Sequence, residues 1–165
     1  MGKHSFYQSF WNIKHIRNGK EIWSTRKQNA LVDQGEEVIL ETVFRATVAY
    51  IPTAFYVRLC YDTILETDTL TLIQNEPIGS GYTPQLVEAS SIGFPTKDTY
   101  GGDYRLTSKE VTFTATGGDI IPVTTVFLAT TSDNSGKLMA FVDLPVIRTI
   151  LEGDSMIVQF EIILK

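Results

Sequence analysis

Read for alternation, the second half of the chain is a succession of strands. Val111, Phe113 and Ala115 alternate with Thr112, Thr114 and Thr116, the period of two that gives a strand one apolar and one wet face. From Val123 to Thr130 the run is apolar or β-branched on both faces, as expected of a strand in mid-sheet. Leu138 to Leu144 answers it across Thr131-Ser132-Asp133-Asn134-Ser135-Gly136, a run of turn formers that closes a hairpin. Pro145 to Leu151 continues extended, and Glu152-Gly153-Asp154 turns the chain into its last strand. That strand sends Met156, Val158, Phe160, Ile162 and Leu164 to one side and Gln159 and Glu161 to the other.

The first half is more mixed. Residues 5–27 predict a β-hairpin about Asn18-Gly19, whose residues both accept positive φ. Its aromatic content is high, with Phe6, Tyr7, Phe10, Trp11 and Trp23 in one short segment. Two placements stay open: a ribbon clear of the core that needs a partner, or one that lies on the sandwich and is buried by its own chain. A helix is predicted next, with Asp33 as N-cap, Glu36 three residues later, and Val38, Ile39, Val43 and Phe44 at helical spacing. Phe55–Tyr61 reads as a strand with Phe55, Val57, Leu59 and Tyr61 on one face, and Asp68–Gln74 as a short helix capped by Asp68. Leu86–Ala89 is a short strand, and Ile92–Gly102 an irregular excursion.

Six to eight strands with two short helices define the fold class: mainly β, an antiparallel β-sandwich with an N-terminal β-hairpin arm. Immunoglobulin-like and jelly-roll topologies are both compatible with the pattern. No repeat or Pro/Ser-rich linker divides the chain. Residues 28–165 are therefore read as one sandwich domain and 1–27 as an aromatic-rich arm.

Composition narrows the function more than the fold. A chain of 165 residues can bury roughly two-thirds of its unfolded surface without disulfides. The net charge of −5 argues against nucleic acid or an anionic membrane as partner. The one cysteine, Cys60, lies in an apolar run and reads as an inert buried thiol. No apolar run is long enough to span a membrane, and no apolar region follows the N-terminus as a secretion signal requires. The expectation is a protein kept in a cytoplasm, or in what assembles there.

Convergent polar groups are scarce. His4 and His15 both fall in the hairpin with no acidic pattern to complete a triad or metal cage, and read as solvated or partner-facing. Asp133-Asn134-Ser135-Gly136 lacks the alternating ligands of a calcium loop and is read as a turn. Asp62, Glu66 and Asp68 sit at a strand exit, where solvated loop charge is the default. The expectation is a chain that is not an enzyme and has no cofactor and no metal. Carbohydrate binding is the competing functional reading, because Tyr82, Phe94, Tyr100 and Tyr104 lie in or beside loops where aromatic faces can hold sugars.

Several turn-and-strand segments carry a resemblance: Asp68-Thr69-Leu70, Glu76-Pro77, Gly79-Ser80-Gly81-Tyr82, Gly102-Asp103-Tyr104, Val111–Ala115, Leu128-Ala129-Thr130, Asp133–Leu138, Arg148-Thr149-Ile150 and Gly153-Asp154-Ser155. With Asn29–Gly35 upstream, the chain resembles small β-rich structural proteins of tailed-bacteriophage virions over about residues 20–165. The resemblance implies a non-enzymatic virion component: a capsid decoration, a neck or tail accessory, or a fibre attachment. It implies other virion proteins, of capsid or tail, as partners, a homo-oligomeric state, and assembly in the bacterial cytoplasm. Aromatic density in residues 3–27 then suggests Phe6, Phe10, Trp11 and Trp23 as assembly anchors. Deleting 1–27 is expected to leave a folded domain that no longer joins particles. The alternative is a receptor- or glycan-binding module of a tail or fibre, using Tyr82, Phe94, Tyr100 and Tyr104.

Overall fold

The computed structural model describes residues 7–165. Among them are eleven strands: β1 (Tyr7–Arg17), β2 (Lys20–Gln28), β3 (Ala30–Leu31), β4 (Ala54–Cys60), β5 (Gln85–Glu88), β6 (Thr96–Tyr100), β7 (Asp103–Thr107), β8 (Val111–Thr114), β9 (Ile120–Ala129), β10 (Leu138–Ile150) and β11 (Ser155–Leu164). A short helix, α1 (Asp33–Ile39), follows β3 and runs into a π-helical turn at Leu40–Phe44. The strands form two antiparallel sheets, ordered β2-β1-β11-β7-β6 and β3-β10-β9-β4-β5. In the first sheet, β8 pairs with the first half of β11 and β7 with the second half. The mainly β sandwich with one short helix is thus the observed architecture. The strand count exceeds six to eight because pieces as short as β3 and β6 leave little periodicity to read.

The main core lies between the sheets, where Trp11, Ile13, Leu59, Phe113, Met156 and Phe160 are closed to solvent. A second cluster covers the outer face of the other sheet: Cys60, Phe127 and Phe141 pack under Ile64, Leu70 and Ile73 of the β4–β5 connection. This explains the two-sided apolar run of β9. Val126 and Leu128 enter the inter-sheet core, while Phe127 and Ala129 face the covering loop. Arg58, only 3% exposed, pins that loop. It pairs with Glu76, donates to the Asp133 carbonyl and Asn134 Oδ1 at 2.7 Å each, and lies 5.1 Å over the Phe127 ring. Asp133-Asn134-Ser135-Gly136 is accordingly a hairpin turn that also holds a buried cation.

The N-terminal hairpin is part of the first sheet. Asn18 and Gly19 take φ of 50° and 73°, and β1 pairs with β11 from Tyr7↔Leu164 to Ile16↔Ser155. Of the two placements open to the sequence, the structure has the hairpin packed on its own chain. It also closes a flank of the sandwich: β3 pairs with only Ala140 and Phe141 of β10. Farther along, Lys27 Nζ donates to the Asp143 carbonyl at 2.9 Å, and the Arg148 guanidinium lies 4.0 Å over the Trp23 ring. At its far end, buried His15 meets Asp154 Oδ2 at 2.9 Å while Arg17 holds both carboxylate oxygens. His15 is therefore an internal tie, not a solvated or partner-facing group, because its alternation on β1 matches that of Trp11 and Ile13. His4 lies outside the described residues.

Four local expectations are corrected. Val32, not Asp33, holds the N-cap position of α1, and no side chain caps it. Thr69 precedes the short turn Leu70–Leu72, while Asp68 instead accepts from the Leu65 amide at 2.8 Å. Ile92–Gly102 is not irregular throughout: β6 and β7 form a hairpin across Gly101-Gly102. Tyr61 falls past the end of β4 and is 52% exposed.

Candidate functional site

An unfilled space opens at one end of the sandwich, between the sheets. It is an apolar cleft of about 440 Å³. Its inner wall is Phe55, Phe94, Leu128 and Phe160, and its rim is Leu40 and Phe44. Phe94 meets Phe55 and Phe160 edge-on, with ring centroids 6.1 and 5.5 Å apart, so the wall is a packed aromatic surface. The helix forms the rim because Gly35 lets it close on β10: a Cβ there would stand 2.2 Å from the Met139 carbonyl oxygen. The π-helical turn then shifts the register of the apolar face. Val38 stays buried, but Leu40, Val43 and Phe44 are 55%, 66% and 69% exposed. The expected helical stripe is therefore only half used by the core.

A smaller polar space of about 350 Å³ adjoins the cleft and shares Tyr7, Leu31 and Glu36 with it. Gln8, Ser9, Gln28, Asn29 and Glu66 complete its lining. Among the described residues, neither the Glu36 nor the Glu66 carboxylate has an ion-pair partner. The combined opening is thus apolar inside and acidic at its mouth.

The proposed anchors separate. Trp11 is fully buried, its ring 5.4 Å from Phe160, so it is a core residue of its own chain and offers no free face. Trp23 is half-buried beneath Arg148, and Phe10 half-buried beneath Arg26 at 4.0 Å. Phe6 lies outside the described residues.

The four residues suggested for glycan binding do not converge. Tyr82 stacks on Phe113 at 5.8 Å, and its hydroxyl donates to Glu76 at 2.6 Å and accepts from the Leu59 amide. Burial, then the Glu76 charge, push this phenol well above its ordinary value. Phe94 belongs to the cleft wall. Tyr100 and Tyr104 are both at least half exposed. The register Thr99↔Tyr104 and Tyr100↔Asp103 sends them to opposite faces of one hairpin.

Most buried or central acids already have structural work. Glu161 sits in the middle of its sheet's outer face. Burial alone would raise its carboxyl, but hydrogen bonds from Arg26 and Asn12 and the charges of Arg26 and Arg105 hold it below the usual range. Asp62 behaves alike: bonds from Asn75 and Gln74 outweigh the effect of burial. Burial pushes the Cys60 thiol up to about 12, which makes it a poor nucleophile. The sequence offered no warning that Val43 and Phe44 would be surface residues; their spacing from Val38 and Ile39 matches that of a helix facing a core.

The fold is a mainly β sandwich with an open apolar cleft. Residues 30–163 match the family model described as podophage GP4 fiber I protein gp80, and the chain belongs to that family. It is a structural component of a bacteriophage virion, of tail-fibre kind. No curated protein matches it. The match begins at Ala30, so the β1–β2 hairpin lies outside it.

Proposed function

We propose that this chain is a non-catalytic building block of the phage tail or its fibre, acting through contacts with other virion proteins. The observation that carries the reading is the apolar cleft, whose rim leaves Leu40 and Phe44 exposed beside an otherwise well-filled core. A surface of that kind is stabilised by being covered. The acidic side chains at the centre of the fold support the same reading, since Glu161, Glu76 and Asp154 are each engaged by arginine. Assembly in the host cytoplasm, into particles that contain the chain at fixed copy number, follows from it. Quantitative mass spectrometry of purified particles, with labelling to locate the chain, tests the proposal. A constant number of copies at the tail is expected; a chain found only in the infected-cell lysate would overturn it.

A second reading has one observation in its favour: Tyr104 is 66% exposed on a hairpin next to Lys97, whose ammonium lies 5.7 Å from its ring. If the fibre reads a host glycan through this hairpin, Tyr104→Ala abolishes binding on a host-polysaccharide array and leaves the fold intact.

A further inference from the structure

The same strand that lines the cleft carries an apolar protrusion at its other end. Asp143 of β10 stands opposite Thr125 of β9, and Arg148 opposite Val123. Residues 144–147 therefore face a single residue, Thr124, and bulge out of the ladder. Its tip is Pro145-Val146-Ile147, with Val146 57% and Ile147 64% exposed. Among the described residues both hydrophobic side chains are more than half open to solvent.

Arg148 follows the tip directly. Its guanidinium rests on Trp23, its Nε is buried without a hydrogen-bond partner, and no carboxylate pairs with it among the described residues. The protrusion thus reads apolar, apolar, cation. The cleft reads apolar wall, then Glu36 and Glu66 at its mouth. The two surfaces are complementary in polarity and charge. They cannot meet within one molecule: Met139 and Ala140 line the cleft, and the tip lies some six or seven residues farther along β10, roughly 20 Å away.

We propose that the Val146–Ile147 knob of one copy seats in the cleft of a second copy, with Arg148 reaching the acidic mouth. This rests on the assembly reading above and names its partner. Because knob and socket are different patches, the contact is heterologous, and repeated copies join head to tail as a ring or an open row. A neighbouring virion protein of other sequence, or a small apolar ligand, would instead leave purified chains single.

Analytical ultracentrifugation of the full chain decides. The wild type should associate with concentration. Ile147→Glu, which spoils the knob, and Phe44→Glu, which spoils the socket, should each weaken self-association by about tenfold or more, since each places a charge against an apolar surface. Both positions are well exposed, so circular dichroism and melting should match the wild type. An equimolar mixture of the two variants retains one good knob and one good socket, and should form dimers that grow no further. A wild type that stays monomeric at every concentration, or a mixture that does not pair, overturns the proposal. Oxidative crosslinking of Ile147→Cys mixed with Leu40→Cys gives an independent readout if either glutamate variant misfolds; covalent dimers are expected, and their absence counts against the contact. Copy number in particles, measured separately, distinguishes failure of this contact from failure of the assembly reading.

Discussion

Two segments that both pack on β10 spend similar apolar sequence in opposite ways. The β1–β2 hairpin delivers Trp11 and Ile13 to the core and covers part of β10 with Trp23 and Lys27. By contrast, α1 and its π-helical turn bury Val38 but leave Leu40, Val43 and Phe44 in solvent. The hairpin is held by a full ladder to β11 and by the His15–Asp154–Arg17 cluster. The helical segment contacts β10 over one turn, made possible by Gly35. Aromatic density therefore does not mark exposed surface: Trp11 is buried by its own chain, while Leu40 and Phe44 are left in solvent.

The contrast is most severely tested by removing the hairpin. Deleting 1–28 strips a neighbour from the whole length of β11 and opens the core at Trp11 and Ile13. The truncated chain is expected to lose its cooperative thermal transition, as followed by circular dichroism. That is the reverse of the separable arm that its aromatic content suggested, and a sharp transition near the wild-type midpoint would restore the separable arm.

Next in size is a pair of aromatic truncations, one in each segment. Trp11→Ala should cost about 3–5 kcal/mol in chemical denaturation, the range for large aromatic side chains removed from a core. Phe44→Ala should cost within about 0.5 kcal/mol, as for exposed positions, while weakening self-association. Equal losses at the two positions would erase the distinction between the segments.

A smaller effect concerns acid. Hydrogen bonds from Arg17, and then from His15, hold the Asp154 carboxyl below its ordinary value. Its stabilisation is complete above the unfolded carboxylate value, near 4, and is lost as pH falls through the depressed folded value. Asp154→Asn should flatten the stability profile in that acid window, measured by denaturation at stepped pH.

The smallest expected effect is at Tyr100, whose ring lies 5.2 Å from the Arg105 guanidinium and 5.9 Å from that of Arg26. Tyr100→Ala should lower stability by about 1 kcal/mol or less, because exposed cation–π contacts are weak. A larger loss would mean that this outer face, and not only the hairpin's core side, secures the hairpin segment.

Much of this was legible from residues alone, because strand alternation and turn chemistry are local. β9, β10 and β11, the Asn18-Gly19 turn, the inert Cys60 and the sandwich class all follow from periods of two and from side chains that tolerate particular backbone angles. Other features depended on partners distant in sequence. Trp11 is core because β1 lies beside β11, almost the full chain length away, and Phe94 became a cleft wall because it met Phe55 and Phe160. Val43 and Phe44 are exposed because a π-helical turn interrupts a stripe whose spacing still reads as buried. The sequence by itself determined which segments would be strands and that one face of each must be covered. Only the tertiary structure decided which faces stayed bare, because that depends on which distant neighbours fill each side and on the space left when they have done so.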